Sequence, residues 1–171
     1  LADGRGINLR DSGFMAMLPF ISMTVCCLAV GVISDWLVQH KGQYWGRSLY
    51  GAFTLVITAA FLVVGAQVQN ATLAVLVLAG GAGALYLGQA TYWAVAADYG
   101  GPHTGVISGL VNMGGQIAGA ITASATPWFA VKFGWASAFY IAAGVSVVCA
   151  FAWFFVNPNR RLHPNEAKVI A

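Results

Sequence analysis

The charges in this chain are spaced so unevenly that they decide what it can fold into. Between Arg47 and Asp98, between Asp98 and Lys132, and between Lys132 and Arg160 there is no Asp, Glu, Lys or Arg. Of the 171 residues 59% are hydrophobic and only 8% are charged, against about a quarter charged in a soluble domain. A water-soluble fold would have little to present to solvent over such intervals. A helix crossing lipid, in contrast, needs about 20 predominantly apolar residues at a rise of about 1.5 Å each. Five windows meet that need, at approximately 12–37, 48–68, 71–97, 103–131 and 135–156. The expectation is an all-α membrane protein with five transmembrane helices and a polar tail over 157–171.

Residues Leu1 to Asp11 are polar and lack the basic start and apolar run of a signal peptide. The chain begins with Leu1 rather than Met, and the span number is odd. Both features read as a piece of a longer protein that opens in the loop before its first complete helix. The net charge of +3 comes from basic residues at separate helix ends, not along one face, which argues against nucleic acid as a partner. The 35–47 loop, the 98–103 turn and the tail share Lys41, Arg47, Arg160, Arg161 and Lys168, whereas the opposite side holds Arg5, Arg10 and Lys132. That asymmetry favours a cytoplasmic C-terminus.

Cys26, Cys27 and Cys149 fall inside spans as small hydrophobes, and His40, His103 and His163 lie at span ends or in the tail. Neither set has metal-ligand or disulfide-framework spacing. No cofactor or metal is expected. There is no nucleophile–base pair, HExxH motif or intramembrane acidic dyad, and no phosphate-cradling loop, so the chain does not read as an enzyme.

Local signals refine the spans. Pro19 predicts a bend in the first helix. That helix ends in Gly31-Val-Ile-Ser-Asp35, and a short basic loop leads to Arg47. There Asp35 has two readings: a partner for Arg47 or an opposing helix N-terminus, with Gly31 admitting a neighbouring backbone, or an interfacial carboxylate solvated by water and headgroups. Asn70 is placed to cap the third helix. The third helix carries Gly80, Gly81, Ala84 and Gly88, then Gln89, Tyr92 and Trp93, whose aromatic rings suit a cavity wall or an interfacial belt.

The fourth span contains SGLVNMGGQIAG, residues 108–119. At about 100° per residue Asn112 falls about 40°, and Gln116 about 80°, from Ser108, so the three share a face. Gly105, Gly109, Gly115 and Gly119 lie in the same arc, while Ile107, Leu110, Ile117 and Ile121 point away. An unpaired amide in hydrocarbon costs a few kcal/mol, so this face must meet another helix or a watery cavity. Both alternatives stand on sequence alone: amides that bind helices together in a non-transporting scaffold, or amides that line a solute path.

Gly13 to Asp35 with Pro19 and its closing GVISD, AVAADYGGPHTGVISGLVNMGGQIAG over 94–119, Phe133-Gly-Trp135 and Asn157-Pro-Asn-Arg160-Arg161 together resemble the major facilitator superfamily. The resemblance is to its anion:cation symporter branch, which includes hexuronate, glucarate and galactonate carriers, and it covers nearly the whole chain. It implies that the spans are helices eight to twelve of a twelve-helix carrier, without helix seven and the N-terminal half. Gly31, Asp35 and Arg47 look like the C-terminal copy of the family's gating-loop motif, which implies a latch for the outward-facing state. The match departs from the usual motif: Trp36 stands where a basic residue normally follows Asp. The resemblance makes Asn112 and Gln116 substrate-binding, with Gln89, Tyr92 and Trp93 as further cavity candidates. It implies secondary transport of a small organic anion such as a sugar acid, coupled to a cation, normally a proton, in a bacterial inner membrane. No span here holds a central acidic or basic residue, so the proton site and principal anion site are expected in the missing half.

Overall fold

The structure, a computed structural model, describes residues 9–158; the tail beyond them, with Arg160 and Arg161, lies outside the described residues. The described chain is helical almost throughout. Helix α1 is Leu9–Lys41, a π-helical turn Tyr44–Leu49 leads directly into α2 (Tyr50–Gln67), and α3 is Ala71–Gly100. A 3₁₀ turn Gly101–His103 joins α3 to α4 (Thr104–Phe133), and α5 is Trp135–Trp153. With 33 residues, α1 is about 50 Å long, well beyond a hydrocarbon layer of about 30 Å, so one or both of its ends must project from lipid. It runs through Pro19 without interruption.

Among the described residues four helical runs are long and apolar enough to cross a membrane, because α3, the 3₁₀ turn and α4 are helical without a gap over Ala71–Phe133. The break in that run is conformational. Gly101 takes φ +48°, a value side-chain-bearing residues rarely adopt, and α4 folds back against α3. Gly134, at φ +85°, reverses α4 into α5 in the same way, its N–H closing on the Ala130 carbonyl at 3.0 Å. At the start of α3 the Asn70 side chain accepts the Leu73 N–H at 3.1 Å and supplies the N-cap.

Helix α3 is the centre of the bundle: α1, α2 and α4 all pack against it, and α5 packs against α2. Its buried residues are mostly small, among them Ala74, Ala79, Gly81, Gly83, Ala84 and Gly88. These glycines mark real contacts. A methyl group on Gly80 would fall 2.8 Å from the Phe61 ring of α2, and one on Gly83 would collide with the Ser22 hydroxyl of α1. Close approach of small residues replaces the hydrophobic drive that lipid cannot supply.

Helix α4 is different. Every residue from 109 to 124 is exposed, and Ala130 is its one buried residue. The polar and apolar faces expected from the sequence therefore do not differ in burial here: Ile117 and Ile121 are as open as Asn112 and Gln116. Aromatic side chains gather near its far end, where the Lys132 ammonium sits 4.9 Å from the centre of the Trp128 ring, as in a membrane-interface belt.

Candidate functional site

Two polar regions stand out from the apolar scaffold. The first is on α4. Asn112 and Gln116, four residues apart on one helix, lie one turn above the other on an exposed surface. Among the described residues neither amide has a hydrogen-bond partner. The flanking Gly105, Gly109, Gly114, Gly115 and Gly119 have no described atom within 4 Å of where a β-carbon would stand. The glycines of α4 thus do not serve contact within this chain, as those of α3 do. What the face offers is two amide donor–acceptor groups with space in front of them, the equipment for holding hydroxyls or a carboxylate.

The candidates on α3 divide. Gln89 is half-buried and Trp93 is 39% exposed, and their four-residue spacing puts them on one side of the helix. Tyr92 turns elsewhere. Its ring stacks on Trp153 of α5, with centroids 5.1 Å apart and planes 18° from parallel, and it lies 3.3 Å from where a β-carbon on Gly51 of α2 would be. The neighbouring aromatics therefore do not form one wall: Tyr92 is held in the seam between α2, α3 and α5. A groove of 510 Å³ between α2 and α5 is lined by Val56, Val63, Val64, Tyr140 and Val147 with alanines and a glycine between them, and offers an anion few polar partners.

The second region joins the ends of α1 and α3 to the π-helical turn. Arg47 projects from that turn, its side chain only 16% exposed, between two carboxylates. Its Nη2 donates to Asp35 Oδ1 at 3.2 Å, and its Nε stands 3.8 Å from Asp98 Oδ2, near enough for attraction between charges but too far for a good hydrogen bond. Its Nη1 donates to Ser34 Oγ at 2.9 Å. The same end is tied to the residues that follow α5, where Tyr44 Oη donates to the Phe154 carbonyl and Ser48 Oγ to that of Val156. Asp35 and Arg47 are thus brought together, twelve residues apart in sequence. Gly31 is not part of the contact: no described atom comes within 4 Å of a β-carbon placed there, and the glycine crowded by a neighbour is Gly46.

Ser34, Gly46, Thr91 and Asp98 were not among the residues singled out from the sequence. For two of them the sequence holds only a shared helix face, not the contact. Thr91 and Asp98 are seven residues apart and hence on one face of α3, within about 20°, with the charge at the helix end. Among the described residues no group of His, Cys, Asp and Glu is arranged to hold a metal ion.

The family model described as Major Facilitator Superfamily matches residues 1–169. Among curated proteins, the chain is 29% identical over 147 residues to "Probable anion transporter 4, chloroplastic" of Oryza sativa subsp. japonica, covering 85% of this chain and 25% of that protein. It is 29% identical over 150 residues to "Probable small intestine urate exporter" of Homo sapiens, covering 82% and 29% respectively. It is 27% identical over 164 residues to "Hexuronate transporter" of Bacillus subtilis (strain 168), covering 92% and 39%. The chain therefore spans between a quarter and two-fifths of the length of these relatives.

Proposed function

The chain belongs to the major facilitator superfamily, and from that premise we propose that it forms most of the C-terminal half of a secondary carrier for a small organic anion. The relatives just named are described as carriers of anions, urate and hexuronate. The observation that carries the reading is the state of α4: amides at Asn112 and Gln116 that no described residue satisfies, on a membrane-length helix whose glycines touch nothing. In lipid that arrangement is costly, so the face turns to a wet crevice between two halves of the carrier. Asn112 and Gln116 contact the solute, with Gln89 and Trp93 beside them on α3. The hydroxyl-rich, carboxylate-bearing shape of a sugar acid suits paired amides.

In this reading the carrier works by alternating access, and the Asp35–Arg47 pair latches one end of the crevice while the other is open. The protein sits in a bacterial inner membrane with the latch and the C-terminus cytoplasmic. Coupling is to protons, whose site and the principal anion-binding charge lie in the other half. It acts as a carrier and catalyses no chemical conversion.

The direct test is uptake of labelled sugar acids by proteoliposomes holding the full-length carrier, with and without an imposed proton gradient. Saturable accumulation that follows the gradient is the expected result. Accumulation indifferent to the gradient removes proton coupling, and no uptake of any organic anion removes the solute class.

A further inference from the structure

We propose that Ser34 is a positioning residue of the gate, its hydroxyl fixing the direction in which Arg47 presents its guanidinium to Asp35 and Asp98. This rests on the reading above, in which that cluster latches one end of the crevice.

Ser34 is completely buried, one residue before an aspartate that is mostly exposed. A serine hydroxyl can give one hydrogen bond and accept two, and here one is given and one accepted at good distance, with a second donor farther off. It donates to the Gly46 carbonyl at 2.8 Å, accepts from Arg47 Nη1 at 2.9 Å, and receives a longer contact from Thr91 Oγ1 at 3.5 Å. One oxygen therefore joins α1, the π-helical turn and α3.

The Gly46 carbonyl belongs to the π-helical turn, whose hydrogen-bond register departs from that of an α-helix. In an α-helix it would accept the Tyr50 N–H, four residues on. Here that N–H bonds to the carbonyls of Trp45 and Arg47 instead, and the Ser34 hydroxyl takes up Gly46. The turn rides so close on α1 that a β-carbon on Gly46 would lie 2.6 Å from the Val38 nitrogen and 2.9 Å from the Ser34 carbonyl oxygen.

The guanidinium is a rigid planar fork. With Nη1 held by Ser34 and Nη2 by Asp35, the remaining Nε is aimed at Asp98 on α3. Without the Ser34 oxygen the fork is free to swing wholly onto Asp35, and Asp98 loses its cation. Ser34 is thus what makes one arginine serve two helices.

The experiment places a spin label at Lys41 and a second on the matching end of the other half of the full-length carrier, and reads the population in which that end is open. Ser34→Ala and Ser34→Val raise the open population roughly tenfold, the loss expected for one charge-assisted hydrogen bond. Ser34→Thr, isosteric with Val but bearing the hydroxyl, stays within about twofold of the wild type. In an Arg47→Ala background the Ser34 substitutions add nothing further. The proposal is overturned if Thr and Val behave alike, if the Ser34 effect persists without Arg47, or if Val alone abolishes folding, since the hydroxyl would then be structural. Asp35→Asn separates the two levels: labels that move with it but not with Ser34→Val leave the gate standing without Ser34. Labels unmoved by both Asp35→Asn and Arg47→Ala remove the gate itself.

Discussion

Asn112 and Tyr92 were both candidates for touching solute, and the structure gives them different physical circumstances. Asn112 has an amide with no described partner and open space before it. Replacing it with Ala should raise the half-saturating concentration of the transported anion about tenfold, the value of one or two hydrogen bonds, while leaving the amount of folded carrier unchanged. Uptake kinetics beside a detergent-extract fluorescence profile would measure both, and unchanged affinity would strike Asn112 from the site. Tyr92 is stacked on Trp153, and its buried hydroxyl has no hydrogen bond among the described residues. Tyr92→Phe keeps the stack and should change stability by less than about 0.5 kcal/mol, whereas Tyr92→Ala leaves a cavity and should cost about 3–5 kcal/mol. Thermal melts in detergent check the pair. A loss of solute affinity in the Phe variant would return Tyr92 to the site.

Helices α3 and α4 are both rich in glycine, but the glycines do opposite things. On α3 they admit Phe61, Ser22 and their neighbours into close contact; on α4 they face open space. Gly81→Val should therefore lower stability by about 1–3 kcal/mol through overpacking against Phe61, while Gly109→Val should leave the melting temperature nearly unchanged. Transport should respond in the other sense, with Gly109→Val losing uptake despite a normal melt, because the added bulk fills the crevice face. A Gly109→Val carrier that transports normally would mean this face lines no path. The sequence made the helices themselves legible, since a charge-free apolar interval in lipid has few alternatives to helix, and the cap at Asn70 was readable from residue type. The difference between the two glycine stripes was not readable. Residue spacing reports which side chains share a face, but not whether another helix stands opposite.

The described chain forms one bundle around α3, with α4 leaning against it and the polar cluster closing one end. If that bundle is half of a carrier, the chain reconstituted alone should accumulate no labelled anion, and the full-length protein should lose accumulation when a protonophore collapses the gradient. Radiotracer uptake measures both, and accumulation by the chain alone would show that this half holds a complete path. The membrane character and the all-helical class were open to a reader of residues in order, because each follows from hydropathy and length, whereas the pairing of Asp35 with Arg47 was one of the alternatives the sequence left standing, and the structure brings the two side chains to 3.2 Å. Ser34, Gly46, Thr91 and Asp98 were hidden for a physical reason: their role depends on α1, the π-helical turn and α3 crossing at one point, and Thr91 is 57 residues from Ser34 along the chain. The same holds for the aromatic pair on α3. Local composition suited Tyr92 and Trp93 equally to a cavity wall or an interfacial belt; with Trp153 brought alongside by the packing of α5 on α2, Tyr92 lies in a helix seam while Trp93 is exposed.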